Sequence, residues 1–327
     1  MIIPYQLRDN YLVSATKYND TTIYRSVIYM RIFQVNQDLR ETLTYQDLGF
    51  PIECCIDDYN LLPQHTLSCH WHYEFEFAML LSGRLDYYIG GEHYRLQAGD
   101  CVFINANTLH MAQPPPDCTD TRMFVFSFSS SLLAHDRESA IYKKYFAPIV
   151  GKDFPGLMLP YAMPLGPEVH AALHELLLLK QDSPCMELQC ISIVSRLWSS
   201  LFTYLCRDFP DILHSKHDTK NEMRVKSILF YIHEHFSEAI TIDQLAQQVN
   251  ISQTECFRCF KHFVRKSPMV YINEYRLSQA AKQLRETTNN ITDISLSCGF
   301  CNTSYFGKLF RQQYGVSPSQ YRKQFKN

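Results

Sequence analysis

The chain has 327 residues, of which 46% are hydrophobic and 20% charged, and its net charge is −2. That length admits two domains with separate cores, and the composition is that of a globular protein rather than a disordered or fibrous one. No apolar run approaches the roughly 18 residues of a membrane helix. The opening "MIIPYQLRDNYLV" lacks the basic start, apolar core and cleavage site of a signal peptide, so a cytoplasmic location is expected.

Twelve cysteines would suit a small secreted disulfide scaffold, but the chain is too long for one. Cys190, Cys206, Cys256 and Cys259 fall inside apolar helical patterns, where free thiols behave as small hydrophobes. The charge is unevenly spread. Residues 221–327 hold 14 Lys+Arg against 8 Asp+Glu, a net of +6, which leaves 17 against 25, a net of −8, for residues 1–220. A basic C-terminal third fits a nucleic-acid-binding module.

Residues 52–130 read as β. Within "CHWHYEFEF" (69–77), His70, His72, Glu74 and Glu76 share one parity, so a continuous strand would place all four on one face. "RLDYYIGGEHYRL" is a hairpin about Gly90-Gly91, and "LQAGDCVFINANTLH" adds a Gly-Asp turn, a strand and His110. A loop at Pro114-Pro115-Pro116 follows, then "RMFVFSFS", an apolar run fit for a sheet covered on both faces. Short strands at this spacing predict a barrel or sandwich. Trp71, Phe75, Phe77, Tyr87, Tyr88 and Phe103 are candidate lining aromatics, of which one face alone can point inward.

After residue 130 the period becomes helical. Leu188, Ile191, Val194, Trp198, Leu201 and Leu205 form one stripe, read either as cover for the barrel or as a dimer interface. The polar stretch "RDFPDILHSKHDTKNE" is a connector. Farther on, "HEH" (233–235) separates its histidines by about 200° on a helix and reads as surface. Cys256-x-x-Cys259 and Cys298-x-x-Cys301 imitate a zinc site, yet helical periodicity places Cys256 and Cys259 on a packed face, where thiols are inert.

The last hundred residues are duplicated with a period of about 50. Phe260-Lys261 recurs as Phe310-Arg311, Ser267-Pro268 as Ser317-Pro318, and Tyr271 as Tyr321. Thr241-x-x-Gln244 and Ser252-x-x-Glu255 are capping boxes, so two short helices meet at a turn near Asn250-Ile251. In the second copy Asn290 and Asn302 cap and Gly299 turns. Two short helices about a tight turn form a helix-turn-helix, whose second helix suits the major groove of DNA. Outward residues Gln253, Thr254, Arg258, Thr303, Ser304 and Lys308 are candidate base contacts; Lys261, Arg265, Lys266 and Arg311 are candidate phosphate contacts.

With its match "I-x-x-I-(x)5-G-F-(x)5-F-(x)3-F-(x)4-G-V-S-P-x-x-Y-R", this region resembles the AraC/XylS family of bacterial transcription regulators. The resemblance covers about 100 residues and implies seven helices with two helix-turn-helix motifs joined by a long helix. Arg265 stands where the family has a glycine, opposite Gly315, and Ser295 replaces a common Ala. The N-terminal segment His70-x-His72-(x)3-Glu76-(x)6-Gly83, followed by Gly99-(x)5-Asn105-x-Asn107-(x)2-His110, resembles the two cupin motifs. Gln64 replaces a motif glycine, Asn105 and Asn107 a proline and a glycine, and Pro114 the final asparagine. That resemblance implies that His70, His72, Glu76 and His110 could hold a divalent metal; no cofactor is required by it.

The expected fold is multidomain: a cupin-like β-barrel with appended helices, then an all-α double helix-turn-helix domain. The expected divisions are a sensing barrel (1–130), a helical dimerisation region (131–208), a linker (209–220) and a DNA-binding domain (221–327) with motifs at about 242–264 and 291–313. The expected function is a non-enzymatic, homodimeric transcriptional regulator that binds double-stranded DNA and no membrane, controlled by a small-molecule effector. Candidate effector contacts are His70, His72, Glu74, Glu76, His110 and Tyr88. The alternative is a metal-dependent cupin enzyme with an accessory helical domain.

Overall fold

The computed structural model describes residues 29–30, 35–36, 39–43, 45, 49–180, 182–214 and 220–325. The opening stretch read for a signal peptide, and part of the polar connector, lie outside them. The chain divides into two compact units, residues 1–220 and 221–327.

Among the described residues, the first unit contains two sheets. Strands β1 (Tyr29–Met30), β2 (Ile52–Asp58), β4 (Phe75–Ser82), β7 (Cys101–Ile104), β9 (Arg122–Phe128) and β10 (Gly156–Leu159) form a six-stranded sheet in the order β1-β2-β9-β4-β7-β10. Strands β3 (Leu67–His70), β5 (Arg84–Ile89), β6 (Glu92–Gln97) and β8 (His110–Gln113) form the second, ordered β3-β8-β5-β6. Pairing is antiparallel apart from β1 with β2, and β5–β6 is the hairpin about Gly90-Gly91.

Alternation along the strands sorts the residues into layers. In β4, Ala78 and Leu80 join Val102, Ile104, Met123 and Val125 in facing the second sheet's Leu85, Tyr87, Ile89 and Leu96. The other parity, Phe75, Phe77 and Met79 with Phe103, Phe124, Phe126 and Phe128, packs beneath α1 (Gly166–Leu178) and α2 (Met186–Asp208). The six-stranded sheet is thus covered on both faces, as the continuous apolar run in β9 predicts.

Trp198 of α2 is the centre of the helical layer. Its ring lies 4.4 Å from Phe146, 4.7 Å from Phe75, 5.8 Å from Phe128 and 6.0 Å from Phe103. Of the predicted stripe, Val194, Trp198, Leu201 and Leu205 are buried here, Ile191 is half-buried, and Leu188 is 68% exposed. The stripe is core, apart from its first turn. Two further differences stand out. Strand β10 falls inside the region expected to be helical, pairing with β7; four residues between Pro155 and Pro160 are too few to show a period. Phe75, Phe77 and Phe103 face the helices rather than the interior between the sheets.

Among the described residues, the second unit has seven helices: α4 (Lys220–His235), α5 (Ile242–Gln248), α6 (Gln253–Val264), α7 (Pro268–Glu286), α8 (Ile291–Ser297), α9 (Thr303–Tyr314) and α10 (Pro318–Gln324). The five-residue α3 (Pro210–His214) precedes them in the connector. Side-chain caps start the short helices. Thr241 Oγ1 accepts from the Gln244 amide while Gln244 reaches back to the Thr241 amide, and Ser317 and Gln320 repeat this box. Ser252, Ser267, Asn290 and Asn302 also cap their helices.

The α8–α9 turn depends on Gly299, whose φ is +81°. A Cβ there would meet the Phe236 carbonyl at 2.6 Å and Arg276 Nε at 2.9 Å. Arg276, 9% exposed, uses that space to donate to the carbonyls of Phe236 and Glu238, beyond the end of α4. In the first copy Asn250 takes the turn at φ 53°.

The "HEH" reading needs correction. His233 is 4% exposed, its Nε2 2.7 Å from the Tyr271 hydroxyl and its ring 3.9 Å from Tyr275. His235 alone is at the surface side, 3.1 Å from Glu238. Two residues 200° apart on a packed helix cannot both be outside.

Candidate functional site

The first site lies between the two sheets. His70 ends β3 and His110 opens β8, and the two are register partners in the smaller sheet. His72 sits in the connection to β4, and Glu76 is the second residue of β4 in the larger sheet. The single strand that parity required does not form: backbone pairing breaks at His72–Glu74, and the residues converge because the chain changes sheets there.

His70, His72, His110 and Glu76 are each no more than 1% exposed. One ligand nitrogen from each histidine lies within 4.8 Å of the others, the one such group of three or more among the described residues. Each ring is held by a backbone carbonyl at Nδ1: Ser68 for His70 (2.8 Å), Glu74 for His72 (3.1 Å) and Thr108 for His110 (2.8 Å). A carbonyl can only accept, so each Nδ1 carries a proton. A neutral ring then turns an Nε2 lone pair toward the cluster, the arrangement that second-shell carbonyls impose on metal-binding histidines.

Carboxylates meet two of these Nε2 atoms. Glu76 Oε2 is 3.2 Å from His72 Nε2, and Glu76 also accepts from the Tyr87 and Ser127 hydroxyls, both at 3.3 Å. Glu41 Oε2 is 3.5 Å from His70 Nε2. With acceptors facing both nitrogens of His72, a cation is needed between ring and carboxylate, whether a proton or a metal ion.

Glu41 has no sequence signal. It is 4% exposed and arrives because the 39–41 segment pairs with Trp71: the Glu41 amide donates to the Trp71 carbonyl and the Trp71 amide to Leu39. Glu74, by contrast, lies at the rim and accepts from the Tyr45 hydroxyl; burial, then that bond, pushes the Tyr45 phenol pKa up. Tyr88 is corrected. It shares no face with the cluster and stacks on His93 at 4.6 Å, while Tyr87, on the parity of buried Leu85 and Ile89, is the tyrosine that points inward.

The second site is the outer side of α6 and α9. Gln253, Thr254, Arg258, Thr303, Ser304 and Lys308 are all exposed, over inner faces of buried Cys256, Cys259 and Phe260, and of Phe306 and Phe310. Phe257, on α6, is 43% exposed. Lys261, Arg265 and Arg311 are exposed, while Lys266 donates to Glu274 at 2.7 Å. Arg265 ends α6 at φ 62° and Gly315 ends α9 at φ 74°, so the arginine makes the same left-handed stop.

Glu255 does not complete its capping box. Its carboxylate accepts from Arg258 Nε at 2.9 Å and Nη2 at 2.6 Å, and from the Cys259 thiol at 3.3 Å. Arg258 and, next, Cys259 hold its pKa down at about 2.

Comparison with known proteins agrees with this division. Residues 50–188 match the model of the AraC-like ligand binding domain, and residues 245–324 that of a helix-turn-helix domain. The chain is 27% identical over 301 residues to the uncharacterized HTH-type transcriptional regulator YdeC of Bacillus subtilis (strain 168), covering 90% of this chain and 99% of that one. It is 30% identical over 105 residues to the HTH-type transcriptional activator RhaS of Escherichia fergusonii, 32% of this chain and 38% of that one. Among solved structures, ToxT from Vibrio cholerae matches at 13% identity with a TM-score of 0.39, covering 85% of this chain and 100% of that one.

A ligand-binding unit of stacked sheets followed by a double helix-turn-helix unit defines a DNA-binding transcription regulator rather than an enzyme. The chain belongs to the AraC family of such regulators.

Proposed function

We propose that this regulator binds a small-molecule effector over the His70, His72, His110 and Glu76 cluster and reads operator DNA with α6 and α9. The observation that supports the sensor half is the burial of three imidazoles and two carboxylates at one point between the sheets. Such groups are costly to bury and contribute less to stability than apolar residues would, so a ligand is the better reason for them.

The donors fit a divalent metal. Imidazole nitrogens with nearby carboxylates suit Fe(II), Mn(II), Ni(II) or Zn(II), and His70, His72 and His110 would hold the ion with Glu76 and Glu41 beside it. Bound there, the ion would supply a Lewis-acidic contact for an oxygen-bearing effector. Tyr87 and Ser127 orient Glu76, and the backbone carbonyls fix the rings. Elemental analysis of the purified full chain, with thermal shift on adding each metal salt, tests this. Stoichiometric metal that is lost in His70→Ala supports it; no metal, with His70→Ala still responding to effector, removes the metal.

An effector acts by binding one arrangement of the protein better than another. Two copies are proposed to pair, and since the α2 stripe is spent on the sheet, pairing would use another side of the helix. Sedimentation of the full chain decides this. A cytoplasmic setting suits the twelve free cysteines, eight of them buried. For DNA, Arg258→Ala and Lys308→Ala should each weaken specific binding by about 1–3 kcal/mol. Unchanged affinity in both would remove the assigned reading faces.

A further inference from the structure

The two reading helices are built on one plan, yet they differ where it matters for DNA. Both are capped at the residue before the helix, and in both the third helical residue gives its amide to that cap: Glu255 to Ser252 and Tyr305 to Asn302. The sixth residues are Arg258 and Lys308. In a full box the third residue's side chain turns back to the cap amide, as Gln244 and Gln320 do elsewhere in this unit. Glu255 turns forward instead.

Both of its oxygens serve Arg258, and Cys259, 3% exposed, donates to the same carboxylate from the packed side of α6. The carboxylate is therefore anchored from below. The guanidinium is anchored in turn by its Nε–Nη2 edge. A guanidinium has five N–H groups, and side-on pairing uses one on Nε and one on Nη2. What remains is the end-on edge, Nη1 with the second Nη2 proton. That edge is the fork that pairs with O6 and N7 of guanine. Arg258 is 66% exposed, so the fork faces outward while the long side chain is held. Free, an arginine side chain carries rotamer entropy that binding would otherwise have to remove.

We infer that Glu255 is a positioning residue that makes Arg258 a guanine reader, so that α6 specifies one G·C pair while α9, with Tyr305 and Lys308 in the matching places, has no such device. The inference rests on α6 being a reading helix. It also predicts a cost: a carboxylate beside DNA repels phosphate, so Glu255 lowers affinity for DNA in general while raising discrimination.

The test is selection of bound duplexes from a random-sequence library by the full-length chain, followed by affinities for the selected site and its single-base variants across a salt series. Wild type should prefer guanine at one position by about 5- to 150-fold, the range of a good bidentate contact. Glu255→Ala should lose most of that preference at that position alone. It should also bind unrelated duplex more tightly, with a salt slope steeper by about one phosphate's worth as the freed Arg258 turns to the backbone. Arg258→Lys, which keeps the charge without the fork, should lose the same preference, and the double variant should lose no more. A Glu255→Ala motif identical to wild type overturns the inference, as does loss of a cytosine preference at a different position, which would make Glu255 a base contact itself. If Arg258→Ala also leaves the motif intact, it is the assignment of α6 as a reading helix that falls.

Discussion

Replacing Trp198 by alanine should cost the first unit about 4 kcal/mol, the middle of the range for a large aromatic removed from a core. The structure keeps this site clear of the low end of that scale. The indole is 3% exposed, packs against four phenylalanine rings within 6.0 Å, and donates from Nε1 to the Tyr145 carbonyl at 3.2 Å. Relaxation cannot close the hole readily, because Phe75, Phe103 and Phe128 are fixed on neighbouring strands of one sheet. Urea unfolding followed by tryptophan fluorescence is a selective assay, since both tryptophans, Trp71 and Trp198, belong to this unit and Trp71 remains in the variant. With a slope of about 2.5 kcal/mol/M, the midpoint should fall by roughly 1.5 M. Leu188→Ala, at the exposed start of the same stripe, should move it by less than about 0.2 M, as surface changes do. A shift under about 0.5 M for Trp198→Ala, or a large and concentration-dependent one for Leu188→Ala, would refute the view that α2's stripe is core.

Three more outcomes can be checked. Arg265→Gly should stabilise the second unit by up to about 1 kcal/mol, and Gly315→Ala should destabilise it by a similar amount, because both positions stop a helix in the left-handed region; helical circular dichroism during unfolding reads both. Glu255 should titrate near 2 by carboxyl NMR rather than near an ordinary 4.5. Its pKa is lowered by folding, so whatever the Arg258 pair contributes is complete above about 4.5 and disappears as the pH falls through about 2. Finally, Lys261→Ala and Arg311→Ala should each flatten the salt dependence of DNA binding by about one unit of slope. Lys266→Ala should do less, its ammonium being held by Glu274.

The second unit was legible because its signals are local. Capping pairs, Ser-Pro starts and Gly299 each act within a few residues, and the duplication let one copy check the other. The sheet unit was harder for a physical reason: its site is assembled across sheets. His70 and Glu76 have the same parity but different sheets, so strand periodicity placed them together by an argument that does not apply. Glu41 enters through backbone pairing with Trp71, thirty residues farther along the chain, and nothing near it in sequence announces that. Tyr87 over Tyr88 was within reach, since Leu85 and Ile89 already mark the inward parity.

Three places where the resembled motifs carry glycine hold other residues here: Gln64 at φ 55°, Asn107 at φ 63° and Arg265 at φ 62°. The backbone has kept the glycine shape without the glycine, which only surrounding pairings and caps can enforce. The chain can therefore drift in sequence at its turns while its architecture stays put, drawing on a stability reserve each time. Relatives that have drifted in this way would be passed over by any search keyed to glycine, and restoring the three glycines gives a direct route to a sturdier protein.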